Sequence, residues 1–228
     1  MSGLSSEFVS AIAGAVVGGL IAFGIQMIAL RAAVKARKDE AAEKKKALAH
    51  SLMFKMLQIH AHLLHFSQHL EEAFAQGAAD NIPEPWAFVQ AMANHPDKVN
   101  FASDEMAMLL SLGDETLFSD VLSFDEAHNT TIATFDTYRE RRVLFTDRLS
   151  AIIADHVSIK GATDLSEDEM LFFRPKMNEL NNLATVMRQM TAGYAKDAGD
   201  VSKRLALVLH ERAGLVRKLE VAPKPAPT

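Results

Sequence analysis

The chain has 228 residues, with 29 acidic and 24 basic side chains, a formal net charge of −5 and no cysteine. The absence of cysteine excludes disulfide frameworks, zinc–thiolate sites and thiol catalysis. Abundant Ala and Leu and eleven Met favour helix over sheet, and no run alternates between apolar and polar residues as a half-buried strand does. We therefore expect an all-α protein, long enough for one domain with its own core.

The first predicted element is one transmembrane helix over residues 8–30, after a short extracytoplasmic N-terminus, residues 1–7. The 23 residues carry no charge and one amide, Gln26. As a helix they are about 34 Å long, slightly more than a hydrocarbon core of about 30 Å. A cleaved signal peptide would need a basic start and a shorter apolar stretch, so this segment is expected to cross the bilayer and remain.

Basic residues after the span predict its direction. Residues 31–46 hold seven bases and three acids. Because basic residues stay on the cytoplasmic side, we expect the N-terminus outside and the C-terminus in the cytoplasm, with a bacterial inner membrane favoured. In the basic juxtamembrane helix, residues 31–50, these side chains are also expected to contact anionic lipid headgroups. This collar consists of Arg31, Lys35, Arg37, Lys38, Lys44, Lys45 and Lys46.

Small residues recur at four-residue intervals within the span. Gly14, Gly18 and Ala22 would lie on one face and let two helices approach closely. The pattern predicts self-association through the span. The alternative is chance, because Gly and Ala are common in any transmembrane helix.

Residues 51–220 predict a cytoplasmic helical bundle or coiled coil of three or four helices, and residues 221–228 a disordered Pro-rich tail. No glycine or proline lies between the span and Gln76, so the anchor is expected to continue as one helix to about that residue. The continuation carries an apolar stripe with steps of three and four. Its members are Leu52, Met56, Ile59, Leu63, Phe66, Leu70 and Phe74.

After a turn, the sequence predicts two short and two long helices. The short ones are expected at 84–94 and 103–112, and the first long one at 114–156, with His128 inside its apolar stripe. The last begins with a capping box at Ser166 and Glu169 and extends to about Leu219, unless Pro175 ends or kinks it. Long helices with this spacing pack best nearly antiparallel, which predicts an elongated bundle.

Four side chains on the first long helix form the candidate metal site. His62, His65, His69 and Glu72 fall within an arc of roughly 80° on a helical wheel, and histidines one turn apart can share a metal. The apolar stripe is centred elsewhere, so the alternative is that these are boundary or surface histidines. A response to pH is the other chemistry available to such a cluster.

Arginines form a small basic patch in a body that is otherwise acidic. Residues 47–228 hold 17 bases and 25 acids, which disfavours binding to nucleic acid. The patch could take a phosphate or an acidic partner, or its members could pair with Glu140 or Asp147 on a solvated face. Its members are Arg139, Arg141, Arg142 and Arg148.

The sequence contains no phosphate-binding loop, catalytic triad order or nucleophile elbow. We therefore expect a non-enzymatic, membrane-anchored helical scaffold or signalling module with no cofactor. Its partners would be the lipid bilayer and a protein, or a second copy of the chain. The alternative is a metal- or pH-responsive sensor that uses the histidine face.

Overall fold

The structure is a computed structural model that describes residues 6–92, 94, 96–160 and 166–215. Side chains are described for residues 23–92, 94, 96–152 and 166–215. Every regular element in this part is a helix, which confirms the all-α class. The chain divides into two compact units, Met1–Ala47 and Leu48–Thr228. The first consists of helical chain whose described side chains are mostly exposed.

Helix α1 spans Ser6–Ala79, three residues beyond the expected end. From Leu48 onward it belongs to the second unit, where the predicted apolar stripe from Leu52 to Leu70 is fully buried. Phe74, the last member of the stripe, is half-buried. Gly77 gives room at this end of α1, because a Cβ there would lie 2.3 Å from the ring of Phe88.

The short helices differ in how well the sequence predicted them. Helix α3 spans Ser103–Ser111, as expected, whereas α2 is a single turn, Pro85–Phe88, instead of a helix to residue 94. The chain leaves α2 in an extended conformation at Val89. The Val89 carbonyl accepts a hydrogen bond from the Tyr138 hydroxyl at 2.7 Å, a tertiary contact in place of the next helical bond.

A buried carboxylate attaches α3 to α1. Glu105 accepts hydrogen bonds from Lys55 Nζ at 2.8 Å, from Ser51 Oγ at 2.5 Å and from the Ala102 backbone N–H at 2.6 Å. Burial acts to raise the pKa of Glu105, but the hydrogen bonds from Lys55 and Ser51 outweigh it and lower the pKa. The charged carboxylate is therefore the form that holds α3 in place.

The two remaining long helices are α4, Glu115–Lys160, and α5, Glu167–Ala213. The predicted capping box opens α5, with Ser166 and Glu169 exchanging backbone and side-chain hydrogen bonds. Helix α5 passes through Pro175, so it does not end near Phe173. It stops at Ala213, earlier than expected, because Gly214 adopts a left-handed conformation (φ 71°) that terminates a helix.

The core of the second unit consists of two apolar clusters, which also fix the helix directions. In the first cluster the early part of α4 and the late part of α5 meet α1 between Ala49 and Leu63. In the second, later α4 and earlier α5 meet α1 at Phe66 and Leu70. Helices α1 and α4 therefore run in the same direction and α5 in the opposite one. The expected antiparallel order is wrong for α1 and α4, because residues 80–114 lead the chain back along the bundle.

Among the residues that the structure describes in full, no helix is both long and apolar enough to cross a membrane. The side chains of residues 1–22, which include most of the predicted span, lie outside the described residues. The N-terminal segment 1–5 and the Pro-rich tail lie outside them as well.

Candidate functional site

A polar layer separates the two apolar clusters of the bundle. On α1 the boundary between the clusters lies between Leu63 and Phe66, next to His62, and on α4 it lies between Phe124 and Ile132. The buried polar side chains at this level are His128 and Thr131 on α4 and Thr191 on α5. Both threonines donate to the carbonyl four residues earlier in their own helix, Thr131 at 2.8 Å and Thr191 at 2.9 Å. Of these three side chains, His128 is the one that forms a hydrogen bond to another helix.

His128 pairs with His62 across α4 and α1. Nδ1 of His62 and Nε2 of His128 are 2.9 Å apart, and the two rings stack with their centroids 5.1 Å apart. One neutral ring must donate and the other accept, so the pair shares one proton. Nδ1 of His128 is buried and has no hydrogen-bond partner among the described residues.

Both imidazoles are held in the neutral form. Burial, and secondarily the neighbouring His62, lower the pKa of His128 to about 4, while Asn129 acts in the opposite direction. Burial also lowers the pKa of His62; His65 adds to this effect and Asp97 opposes it. Protonating both rings would place two cations side by side in the core. At least one of the two imidazoles must therefore stay neutral in the folded bundle.

The segment after α2 covers this layer from outside. Asn129 Nδ2 donates to the Val99 carbonyl at 3.4 Å and to Asn100 Oδ1 at 3.3 Å. The same amide contacts Asp125 Oδ1 at 3.3 Å, and burial raises the pKa of that carboxyl. The layer is thus formed by α1, α4, α5 and one extended segment.

The four predicted metal ligands are not brought together. His62 points to His128, whereas His69 Nε2 lies 3.3 Å from the carbonyl oxygen of Gln90. His65 and Glu72 are exposed. Among the side chains that the structure describes, no group of three or more His, Asp or Glu is placed to hold a metal. The metal hypothesis remains a prediction without geometric support.

The residues predicted to act at the membrane belong to α1. Gly14, Gly18 and Ala22 lie in its helical backbone, but the exposure of these residues is outside the described part, so the predicted contact between spans stays a prediction. In the basic collar, Arg31 to Lys44 are exposed, and Lys45 and Lys46 are half-buried. Lys46 pairs with Glu43 at 2.8 Å.

The arginine patch is divided among different partners. Arg139 pairs with Asp136 at 3.1 Å, and Arg141 pairs with Glu179 of α5. Arg142 donates to the Trp86 carbonyl and to Gln90 Oε1, each at 3.0 Å, and so binds α2 and the segment after it. These partners differ from the alternative pairs with Glu140 and Asp147: Arg139 pairs within α4, whereas Arg141 and Arg142 bind acceptors on other elements.

Sequence reasoning missed the contact between His62 and His128. The available signal was a histidine within the apolar stripe of α4, at a position where its neighbours are buried. His62 carried no such signal, since the helical wheel placed it at the border of the α1 stripe. Comparison with models of known protein families, with characterised proteins and with solved structures gave no match to this chain.

Proposed function

We propose that the chain is a single-pass membrane protein whose cytoplasmic helical bundle binds another protein, without catalytic activity. The observation that carries the proposal is the composition of α1. This one helix, Ser6–Ala79, includes the uncharged stretch 8–30, the basic collar and the apolar stripe that packs into the bundle. A helix satisfies all its backbone hydrogen bonds internally, as a hydrocarbon environment demands. The bases that follow favour a cytoplasmic body.

The test is the location and orientation of the full-length chain in a bacterial host. We expect the chain to resist alkaline extraction from membranes. A fluorescent protein fused after Thr228 should fold and fluoresce in the cytoplasm, and alkaline phosphatase fused there should be inactive. Extraction into the aqueous phase, or active phosphatase, would contradict the proposal.

A matched pair of variants tests the collar. Replacing its seven bases by Gln should give mixed or inverted orientation, because Lys and Arg near a span determine its direction. Replacing the three acids of the same segment by Gln should leave orientation unchanged, since acids contribute little to it. The control acids are Asp39, Glu40 and Glu43. Equal effects of the two changes would show that the basic collar does not determine the orientation of the chain.

The pair of His62 and His128 supports a second candidate function, a response of the bundle to acidification. The supporting observation is the interhelical N···N distance of 2.9 Å together with the lowered pKa of the fully buried ring. Proton uptake would weaken the contact between α1 and α4. The free energy of unfolding as a function of pH tests this candidate and is developed below.

A further inference from the structure

A shallow groove of about 200 Å³ lies between α4 and α5 beside the second cluster. Phe145 and Leu180 belong to that cluster and line the groove from below, at 3% and 1% exposure, whereas Leu144 at its rim is 64% exposed. The α4 residues have helical spacing of three and four, so they share one face. The lining consists of Arg141, Leu144, Phe145, Arg148, Lys176, Glu179 and Leu180.

The groove is basic, although the body that contains it is acidic. Arg141 forms an ion pair with Glu179 in which both side chains are 47% exposed, so the pair is weak and a partner's carboxylate can compete for Arg141. Arg148 makes no hydrogen bond or ion pair with another described residue, and Lys176 Nζ lies 4.1 Å from the ring centroid of Phe172. Two cations thus stand next to exposed apolar surface, with no described carboxylate paired to either.

We propose that this groove docks an acidic amphipathic helix of a partner protein. This assignment rests on the function proposed above. Arg141 and Arg148 are seven residues apart, about 10.5 Å along the α4 axis, with Leu144 between them. A partner helix with carboxylates at i and i+7 and leucines at i+3 and i+4 has the same period. Its leucines would cover Leu144 while its acids reach the basic side chains.

Other anionic occupants fit this surface less well. The volume is below the roughly 300–1,000 Å³ of pockets that enclose small molecules. Inorganic phosphate would compensate the positive charges of the groove but would leave Leu144 exposed. A flat bilayer surface would not reach Phe145 between the two helices, whereas a convex helix inserts its side chains into a groove.

The test uses the full-length chain in uncharged detergent and a labelled helical peptide with the spacing given above. Fluorescence anisotropy should show saturable binding. We expect the double substitution Arg148→Glu and Lys176→Glu to weaken binding about tenfold or more. The matched control, Arg174→Glu with Lys196→Glu, changes the net charge equally at exposed sites outside the groove and should leave affinity within about twofold.

A second pair of variants tests the apolar contact. Leu144→Ala should weaken binding about five- to tenfold, because its exposed side chain would be covered by the peptide. Val143→Ala, at a neighbouring residue that is 50% exposed but does not line the groove, should have little effect. Urea unfolding of every variant verifies that the bundle remains folded.

Three results would overturn the groove assignment: equal affinity of the charge-reversed variant, equal binding of a peptide with Lys in place of Glu, or groove-dependent binding of phosphatidylserine vesicles or inorganic phosphate in preference to the peptide. A separate measurement addresses the wider proposal. Since the chain lacks cysteine, Val143→Cys can carry a photo-crosslinker in cells. Crosslinks that persist in the charge-reversed variant reject the groove alone, whereas no crosslinked partner for the unaltered groove rejects the interaction module.

Discussion

Acidification should destabilise the bundle through His128, and replacing that residue by Leu should remove most of the effect. The neutral ring is fully buried, and its pKa is lowered from 6.5 to about 4. In the unfolded chain the same ring returns to its ordinary pKa. Between those two values the unfolded state binds a proton that the folded state does not, so falling pH favours unfolding.

The size of the effect follows from the two pKa values. Each pH unit between them corresponds to about 1.4 kcal/mol, so the complete loss is about 3 kcal/mol and about 2 kcal/mol is lost by pH 5. The contribution is fully retained above the unfolded value of 6.5 and disappears as pH falls through 4. For a protein whose stability is about 5–15 kcal/mol, this is a large fraction.

Other titratable groups near the pair must be separated from His128. His62 faces it from α1, Asp97 and His65 act on His62, and Asp125 is close on α4. Carboxylates elsewhere also bind protons as the pH falls. The informative quantity is therefore the difference between the unaltered chain and the His128→Leu variant at each pH, from which shared contributions cancel.

The assay is urea unfolding of the full-length chain in uncharged detergent between about pH 7.5 and pH 5. Trp86 reports on the second cluster, where its ring packs edge-on against Phe145 with centroids 4.9 Å apart. At neutral pH His128→Leu should cost about 1–3 kcal/mol, because it leaves Nδ1 of His62 without its hydrogen-bond partner. Between pH 7.5 and pH 5 its stability relative to the unaltered chain should rise by about 2 kcal/mol.

The control is His50→Leu, at an exposed position of α1, which should retain the pH dependence of the unaltered chain. The reasoning is refuted if His128→Leu and the unaltered chain lose the same free energy on acidification. It is also refuted if the His128 resonance in the folded protein titrates near its unfolded value.

Two further predictions concern packing and the attachment of α3. Gly77→Ala should lower the free energy of unfolding by about 1–3 kcal/mol, because the added methyl would meet the Phe88 ring at 2.3 Å; Gly193→Ala, where nothing lies within 4 Å, should raise it by about 0.5–1 kcal/mol. Thermal unfolding separates them, and equal shifts would contradict the close approach. Glu105→Gln should cost about 2 kcal/mol in urea unfolding, since the amide cannot replace the buried carboxylate toward Lys55; an unchanged midpoint would show that this ion pair does not hold α3.

Local pattern predicted the long helices well. The stripe from Leu52 to Leu70 became the buried face of α1 because three-and-four spacing defines one side of a helix. The capping box at Ser166 gave the start of α5 because its bonds lie within four residues. These features depend on neighbours in the sequence, which a single chain displays directly.

Features that depend on distant residues were not predicted. The contact between His62 and His128 joins positions 66 residues apart and depends on the register of two helices. Helix α2 ended early because Tyr138 binds the carbonyl of Val89, directly after the helix, and Arg142 binds the carbonyl of Trp86 within it. Periodicity identifies the face of a helix that is buried, but it does not specify which helix covers it or at what height.

The histidine pair specifies the register of α1 against α4 along the bundle axis. Helices α1 and α4 run in the same direction, carry similar apolar stripes and are joined by residues 80–114, which do not form a tight turn. Sliding one stripe against the other by a heptad would still bury apolar residues on apolar residues. It would also leave both imidazoles without their shared hydrogen bond in an apolar surrounding, at about 1–3 kcal/mol for each buried group. We infer that the polar layer selects one register among several of similar apolar burial, as a single buried polar residue does in coiled coils. The ring whose burial makes the fold sensitive to acid would then also be the ring that makes it unique.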